Sequence, residues 1–147
     1  MILGVVAISG CIGSDESSNN TISFSRYSFD VPSGVTGGAS SGGNNALLSY
    51  GDASFDVGTN ETYGYSNLNE QINRGENFEN RTVNNITYFY NLTNGNAEFN
   101  QENLITIKVY FEKDNVQYYI IVHTKEGNDI FEIDNVIKSI IKTIHPV

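Results

Sequence analysis

One cysteine, two prolines, two histidines and no tryptophan stand among the 147 residues, and each scarcity rules something out. A lone thiol cannot close an intramolecular disulfide, and a cysteine-based zinc site needs several. The missing indole removes the side chain best suited to stacking on sugars. Positive charge is scarce too: 8 Lys and Arg face 17 Asp and Glu, a formal net charge of -9. Such a surface is repelled by nucleic acid and lacks the basic stripe that phosphate binding requires. Anionic lipid headgroups are poor partners for the same reason. All the lysines lie between Lys108 and Lys142, so the first hundred residues are more acidic still. No cofactor, metal or nucleic acid is expected.

What is present begins at the amino terminus. Residues 1–10 read MILGVVAISG, apolar and then small, and Cys11 is followed by the polar run IGSDESSNN. The stretch Ile8-Ser9-Gly10-Cys11 resembles a bacterial or archaeal lipobox, in which small residues suit a peptidase that binds extended backbone. The resemblance implies cleavage before Cys11 and lipid on its sulfur. Two chains anchor stably, because each buried methylene contributes about 0.8 kcal/mol and a single chain is marginal. The apolar run is short for a signal peptide, no Lys or Arg precedes it, and it is far too short to span a bilayer. A true start upstream of Met1 is therefore expected. The competing reading makes residues 1–10 a buried strand and Cys11 an inert core thiol.

The expected layout is a signal segment at 1–10, a lipidated Cys11 with a polar tether at 11–20, and one domain at 21–147 on the extracytoplasmic face of a membrane. A domain of that size buries roughly two-thirds of its unfolded surface and needs no staple. Ile22 and Phe24 alternate with polar residues, and so do Tyr27, Phe29 and Val31, with a phase slip at Ser25-Arg26 that predicts a bulge or tight bend. Pro32-Ser33-Gly34 predicts a turn and the Gly/Ser-rich stretch 36–45 a flexible loop. Residues 46–50 and 53–57 read as strands. Leu68 and Ile72, with Ser66 as cap, predict a short helix. Asn84-Asn85 predicts a hairpin turn, and residues 104–112 and 116–124 a second, longer hairpin. Ile130, Ile133, Ile137, Ile140, Ile141 and Ile144 share one helical face, with Asp129 and Glu132 at its start and Lys138 and Lys142 near its end. The fold class is therefore α+β: an antiparallel sheet with a short helix and a C-terminal amphipathic helix packed on it.

The run ISFSRYSFDVPSG at 22–34 resembles the opening of PsbP/Mog1-like domains, and the long hairpin followed by FEIDNVIKSIIKTI resembles their close. Relatives commonly carry an aromatic after the Pro-x-Gly turn, where Val35 stands here. Lipobox, polar tether and one such domain together are similar to small lipoproteins of methanogenic archaea. The resemblance implies an accessory or binding subunit of a larger assembly, and it carries no residue motif across.

Candidate chemistry is sparse. Gly38-Ala39-Ser40-Ser41-Gly42 matches the G-x-S-x-G nucleophile elbow, which works only on a strained strand-to-helix turn beside a base such as His123 or His145. A Ser40 hydrolase is the alternative to a non-catalytic binding domain; a solute-binding lipoprotein normally needs two lobes. His123 is expected as a half-exposed sheet residue and His145 as frayed tail. Asp52, Asp56, Asn60 and Glu61 supply oxygens but lack the spacing of a calcium loop. Sequons at Asn19, Asn60, Asn80, Asn85 and Asn91 are candidate glycan acceptors, although 20 Asn and 24 Ser and Thr residues generate several by chance. Tyr63, Tyr65, Tyr88, Tyr90, Tyr110 and Tyr119 form the candidate binding surface for a protein or cell-envelope partner, against ordinary cross-strand pairing.

Overall fold

The computed structural model describes residues 20–61, 70, 72–73, 77–95 and 104–147. Asn20–Phe24 (β1) and Tyr27–Val31 (β2) pair through Phe24 and Tyr27 across Ser25-Arg26, so the phase slip is a tight bend. Ser25 takes the positive φ (51°) that such a bend demands. Val35 N–H donates to Pro32 O, with Gly34 at φ 95°, which is the turn read from the sequence.

Six of the next seven strands follow the expected pattern. They are Ala46–Tyr50 (β4), Ala53–Thr59 (β5), Glu79–Val83 (β6), Ile86–Asn94 (β7), Leu104–Lys113 (β8) and Val116–Lys125 (β9). The hairpin turns Asn84-Asn85 (φ 49° and 65°) and Asp114-Asn115 (φ 55° and 65°) are of type I′. Their short polar side chains tolerate the left-handed region and match the twist of the flanking strands.

The exception is Thr36–Ala39 (β3), which lies inside the stretch expected to be a flexible loop. It is an edge strand paired to β4. Gly37 makes this fit: a Cβ there would sit 2.2 Å from Leu47 O, so only glycine permits the approach.

Ile130–Thr143 forms the helix, α1. Asp129 is its N-cap and accepts from Phe131 N–H at 3.0 Å, while the Lys113 Nζ donates to Ile141 O and Lys142 O at its far end. Ile133, Val136, Ile137, Ile140 and Ile141 are buried. At about 1.5–3 kcal/mol each, their burial outweighs the mediocre helix propensity of isoleucine. After Ile144 the chain does not fray. His145–Pro146 (β10) pairs with β2, and Val147 N–H donates to Arg26 O, which corrects the expected tail. Glu70 and Ile72 are helical, but Ser66 and Leu68 of the expected short helix lie outside the described residues.

The large sheet runs β3-β4-β5-β9-β8-β7-β6 and the small one β1-β2-β10, with every pair antiparallel. The small sheet and α1 cover one face of the large sheet: β1 approaches β3 and β4, and α1 reaches from β2 to β6. Phe55, Val57, Ile107, Val109, Phe111, Tyr118, Ile120 and Val122 meet Phe24, Phe29 and the α1 isoleucines in one cluster. The architecture is α+β, as expected. No helix among the described residues is long and apolar enough to cross a membrane.

Candidate functional site

The tyrosines predicted to form a binding surface are mostly interior. Tyr63 and Tyr65 lie outside the described residues. Tyr88 and Tyr90 project from β7 into the core. The Tyr90 hydroxyl donates to Asp134 Oδ1 at 2.8 Å, and the Arg81 guanidinium sits 3.5 Å above the Tyr90 ring and 3.5 Å from the Asp134 carboxylate. Burial first, then the Asp134 carboxylate, hold the Tyr90 phenol well above its ordinary pKa. Tyr110 and Tyr119 occupy the opposite face of the large sheet but are only 7% and 2% exposed. Phe78 packs edge-on against Tyr110, and the Tyr119 hydroxyl donates to Asp56 Oδ1 at 3.1 Å. The predicted surface is therefore corrected: these rings pack, and two of their hydroxyls reach carboxylates.

Ser40 does not sit on a nucleophile elbow. It opens the β3–β4 hairpin loop, where its N–H donates to Asn45 O and its hydroxyl to Asn45 Oδ1. Asn45 Nδ2 in turn donates to Asp56 Oδ1 at 2.7 Å, so Ser40, Asn45, Asp56 and Tyr119 form one network between the loop and β9. His123 is exposed on β9, with Nδ1 3.2 Å from Thr106 Oγ1 on the neighbouring strand. Asp56 is thus occupied, Glu61 pairs with Arg26 at 3.5 Å, and no cluster among the described residues could hold a metal ion.

Two small cavities mark opposite ends of the domain. Asn20 pairs with Val31, and Gly34 just beyond lies against the Tyr50 ring. At that end Tyr50, Asp52, Asn128, Asp129 and Glu132 line a cavity of about 160 Å³. The Tyr50 hydroxyl donates to Glu132, which raises the phenol's pKa, and Phe131 beside it is 70% exposed. At the other end Ser25, Tyr27, Asn44, Thr59 and Glu61 line a polar cavity of about 130 Å³. The Arg26–Glu61 ion pair stands beside it, with the guanidinium 5.6 Å from the Tyr27 ring. Five polar residues from the β1–β2 turn, the start of β2, the β3–β4 loop, the end of β5 and the segment just after it converge here, a hydrogen-bonding arrangement suited to a small polar group. Sequence reasoning missed this site because its residues are scattered from Ser25 to Glu61 with no local spacing to connect them.

The sequons also sort by environment. Asn60 is partly covered, Asn80 is exposed on β6, and Asn85 is exposed in the β6–β7 turn. Asn91 is only 6% exposed and its Nδ2 donates to Asn77 O at 2.8 Å, so its candidacy as an acceptor is withdrawn.

No protein-family model matches the sequence, and no curated protein matches it. Among solved structures, a protein from Bacteroides thetaiotaomicron superposes with a TM-score of 0.59 at 11% identity. The superposition covers 83% of this chain and 45% of the other, so this chain spans less than half of that protein. The solution structure of the cyanobacterial PsbP protein from Synechocystis superposes with a TM-score of 0.47 at 15% identity, over 94% of this chain and 98% of the other. The similarity to the Bacteroides protein is one of fold.

Proposed function

We propose that this chain is a lipid-anchored, extracytoplasmic accessory domain that binds a partner protein or a cell-envelope component without catalysing a reaction. Lipid on Cys11 is the anchor, and the polar run after it is the tether. The reading rests chiefly on where the tether meets the domain. The chain enters β1 at Asn20, and the polar cavity of Ser25, Tyr27, Asn44, Thr59 and Glu61 lies at the opposite end of that strand pair. An anchor at one end leaves the other free to meet a partner in the space beyond the membrane. The sequence resemblance to PsbP/Mog1-like domains, known as accessory subunits, agrees with this role. The acidic surface cannot supply membrane attachment by charge, which leaves the anchor to lipid.

Fractionation tests the anchor. Wild-type protein is expected in the membrane pellet, carrying the mass of a lipid on Cys11. Cys11→Ser is expected to lose that mass and leave the pellet. Full-length wild-type protein in the cytosol with a bare thiol overturns the proposal. Photo-crosslinking from Asn44 and from Asp52 then separates the two ends: the partner is expected to crosslink at Asn44, and labelling at Asp52 alone assigns it to the wrong end.

A further inference from the structure

We infer that the β6–β7 hairpin is an N-glycosylated corner, with Asn80 and Asn85 as its acceptors and Asn91 excluded. The inference rests on the extracytoplasmic reading above, because sequon glycosylation belongs to exported proteins. Its second support is geometric. Asn80-Arg81-Thr82 lies on β6, one of the two edge strands of the large sheet among the described residues, and Asn85-Ile86-Thr87 occupies the adjoining turn and the start of β7. Thr82 and Thr87, the hydroxyl positions of the two sequons, are direct cross-strand partners, and both are exposed. Asn80 and Asn85 are exposed as well. One approaching transferase therefore meets two complete sequons on one accessible hairpin.

Asn91-Leu92-Thr93 has the same letters in a different environment. Asn91 is buried in the middle of β7 with its Nδ2 committed to Asn77 O. Glycosylation requires that nitrogen to attack the anomeric carbon of a lipid-phosphate-linked sugar. A carbon–nitrogen bond forms, the carbon–oxygen bond to phosphate breaks with its electron pair leaving on the phosphate, and the amide proton passes to the enzyme's base. Asn91 cannot present its nitrogen without leaving its place in the sheet. A glycan on Asn80 has a physical consequence: bulk on an edge strand blocks the addition of another strand, the main hazard of an exposed edge.

The test is glycopeptide mass spectrometry on the full chain purified from its native host. Cleavage after Arg81, Tyr88, Phe89 and Tyr90 puts Asn80, Asn85 and Asn91 on separate peptides. Sugar on Asn80 or Asn85, with Asn91 bare, upholds the inference. A bare hairpin, or sugar on Asn91, overturns it. Thr82→Ala/Thr87→Ala keeps both asparagines and is expected to remove the hairpin glycan mass completely while the sugar-free protein still unfolds cooperatively, with only the small loss of a cross-strand threonine pair; retained glycan also overturns it. Protease added to intact cells separates the two proposals. If the protein is digested and the hairpin is bare, the glycan inference fails alone. If the protein is protected inside the cell, both fall.

Discussion

Along Val57, Ile120, Val109 and Tyr90, one cross-strand row of the large sheet meets α1 and the small sheet with almost wholly apolar side chains. One residue along, Asp56, Ile121, Lys108 and Asn91 form the matching row on the opposite face. The first row is held by area removed from water, which is non-directional and tolerant of detail. The second is held by specific partners: Asp56 takes hydrogen bonds from Asn45 and Tyr119, and Asn91 donates to Asn77. The same strands thus carry two kinds of stability, one lost by introducing charge and the other by deleting a single atom.

The sharpest way to break the apolar face is Ile137→Asp on α1. Ile137 is buried at the centre of the helix's apolar stripe, and a carboxylate there has no partner within the cluster. Burying an unpaired charge costs several kcal/mol, comparable with the whole stability of a domain of about 5–15 kcal/mol. The cooperative unfolding transition in circular dichroism is expected to disappear. An unchanged melt would mean that α1 does not pack as described.

On the opposite face the expected effects are smaller and depend on which atom is removed. Asp56→Ala leaves the Tyr119 hydroxyl and the Asn45 amide without their acceptor. The cost is about 1–3 kcal/mol, read as a lower denaturant midpoint at constant slope. Asp56→Ala/Tyr119→Phe, which removes both members of one bond, is expected to cost less than the two single changes added together. Simple additivity would show that the hydroxyl and carboxylate do not interact.

The same division governs what the amino-acid order reveals. Ile105, Ile107, Val109 and Phe111 alternate, and the isoleucines of α1 recur at helical spacing, because burial on one face imposes a period. The Asn-Asn and Asp-Asn turns are equally legible, since their residue types answer a local backbone demand. Tyr110 and Tyr119 fall by alternation on the outer face, but their burial is not legible there, because the Phe78 ring and the Asp56 carboxylate that engage them come from distant segments. β3 was hidden because glycine is a poor strand former, and its role depends on the close approach of Leu47 O. β10 is too short to leave a pattern. Ser40 shows the limit of a motif: the letters of a nucleophile elbow were present, but the surrounding strands make a hairpin.

The most discriminating comparison comes from two tyrosines on the apolar face, one of which carries the smallest expected effect. Tyr90 donates to Asp134, whereas the buried Tyr118 hydroxyl has no hydrogen-bond partner among the described residues, with its ring stacked on Phe111 and edge-on to Tyr27. Tyr90→Phe removes a charge-assisted bond and is expected to destabilise by about 1.5–3 kcal/mol. Tyr118→Phe removes only an unsatisfied hydroxyl and is expected to stabilise by about 1 kcal/mol, the lower part of the penalty for burying such a group. Alkali separates them further. Burial raises both phenols above their ordinary value of 10.0, so the folded state retains protons that the unfolded state releases. The stability tied to each neutral phenol is present below pH 10 and is lost as pH rises toward the raised folded values. Wild-type protein should therefore weaken above pH 10, and each Phe variant should weaken less steeply. Below that pH the two variants should move in opposite directions; if both destabilise, the Tyr118 hydroxyl has a partner and the interior of the apolar face is not as dry as its packing indicates.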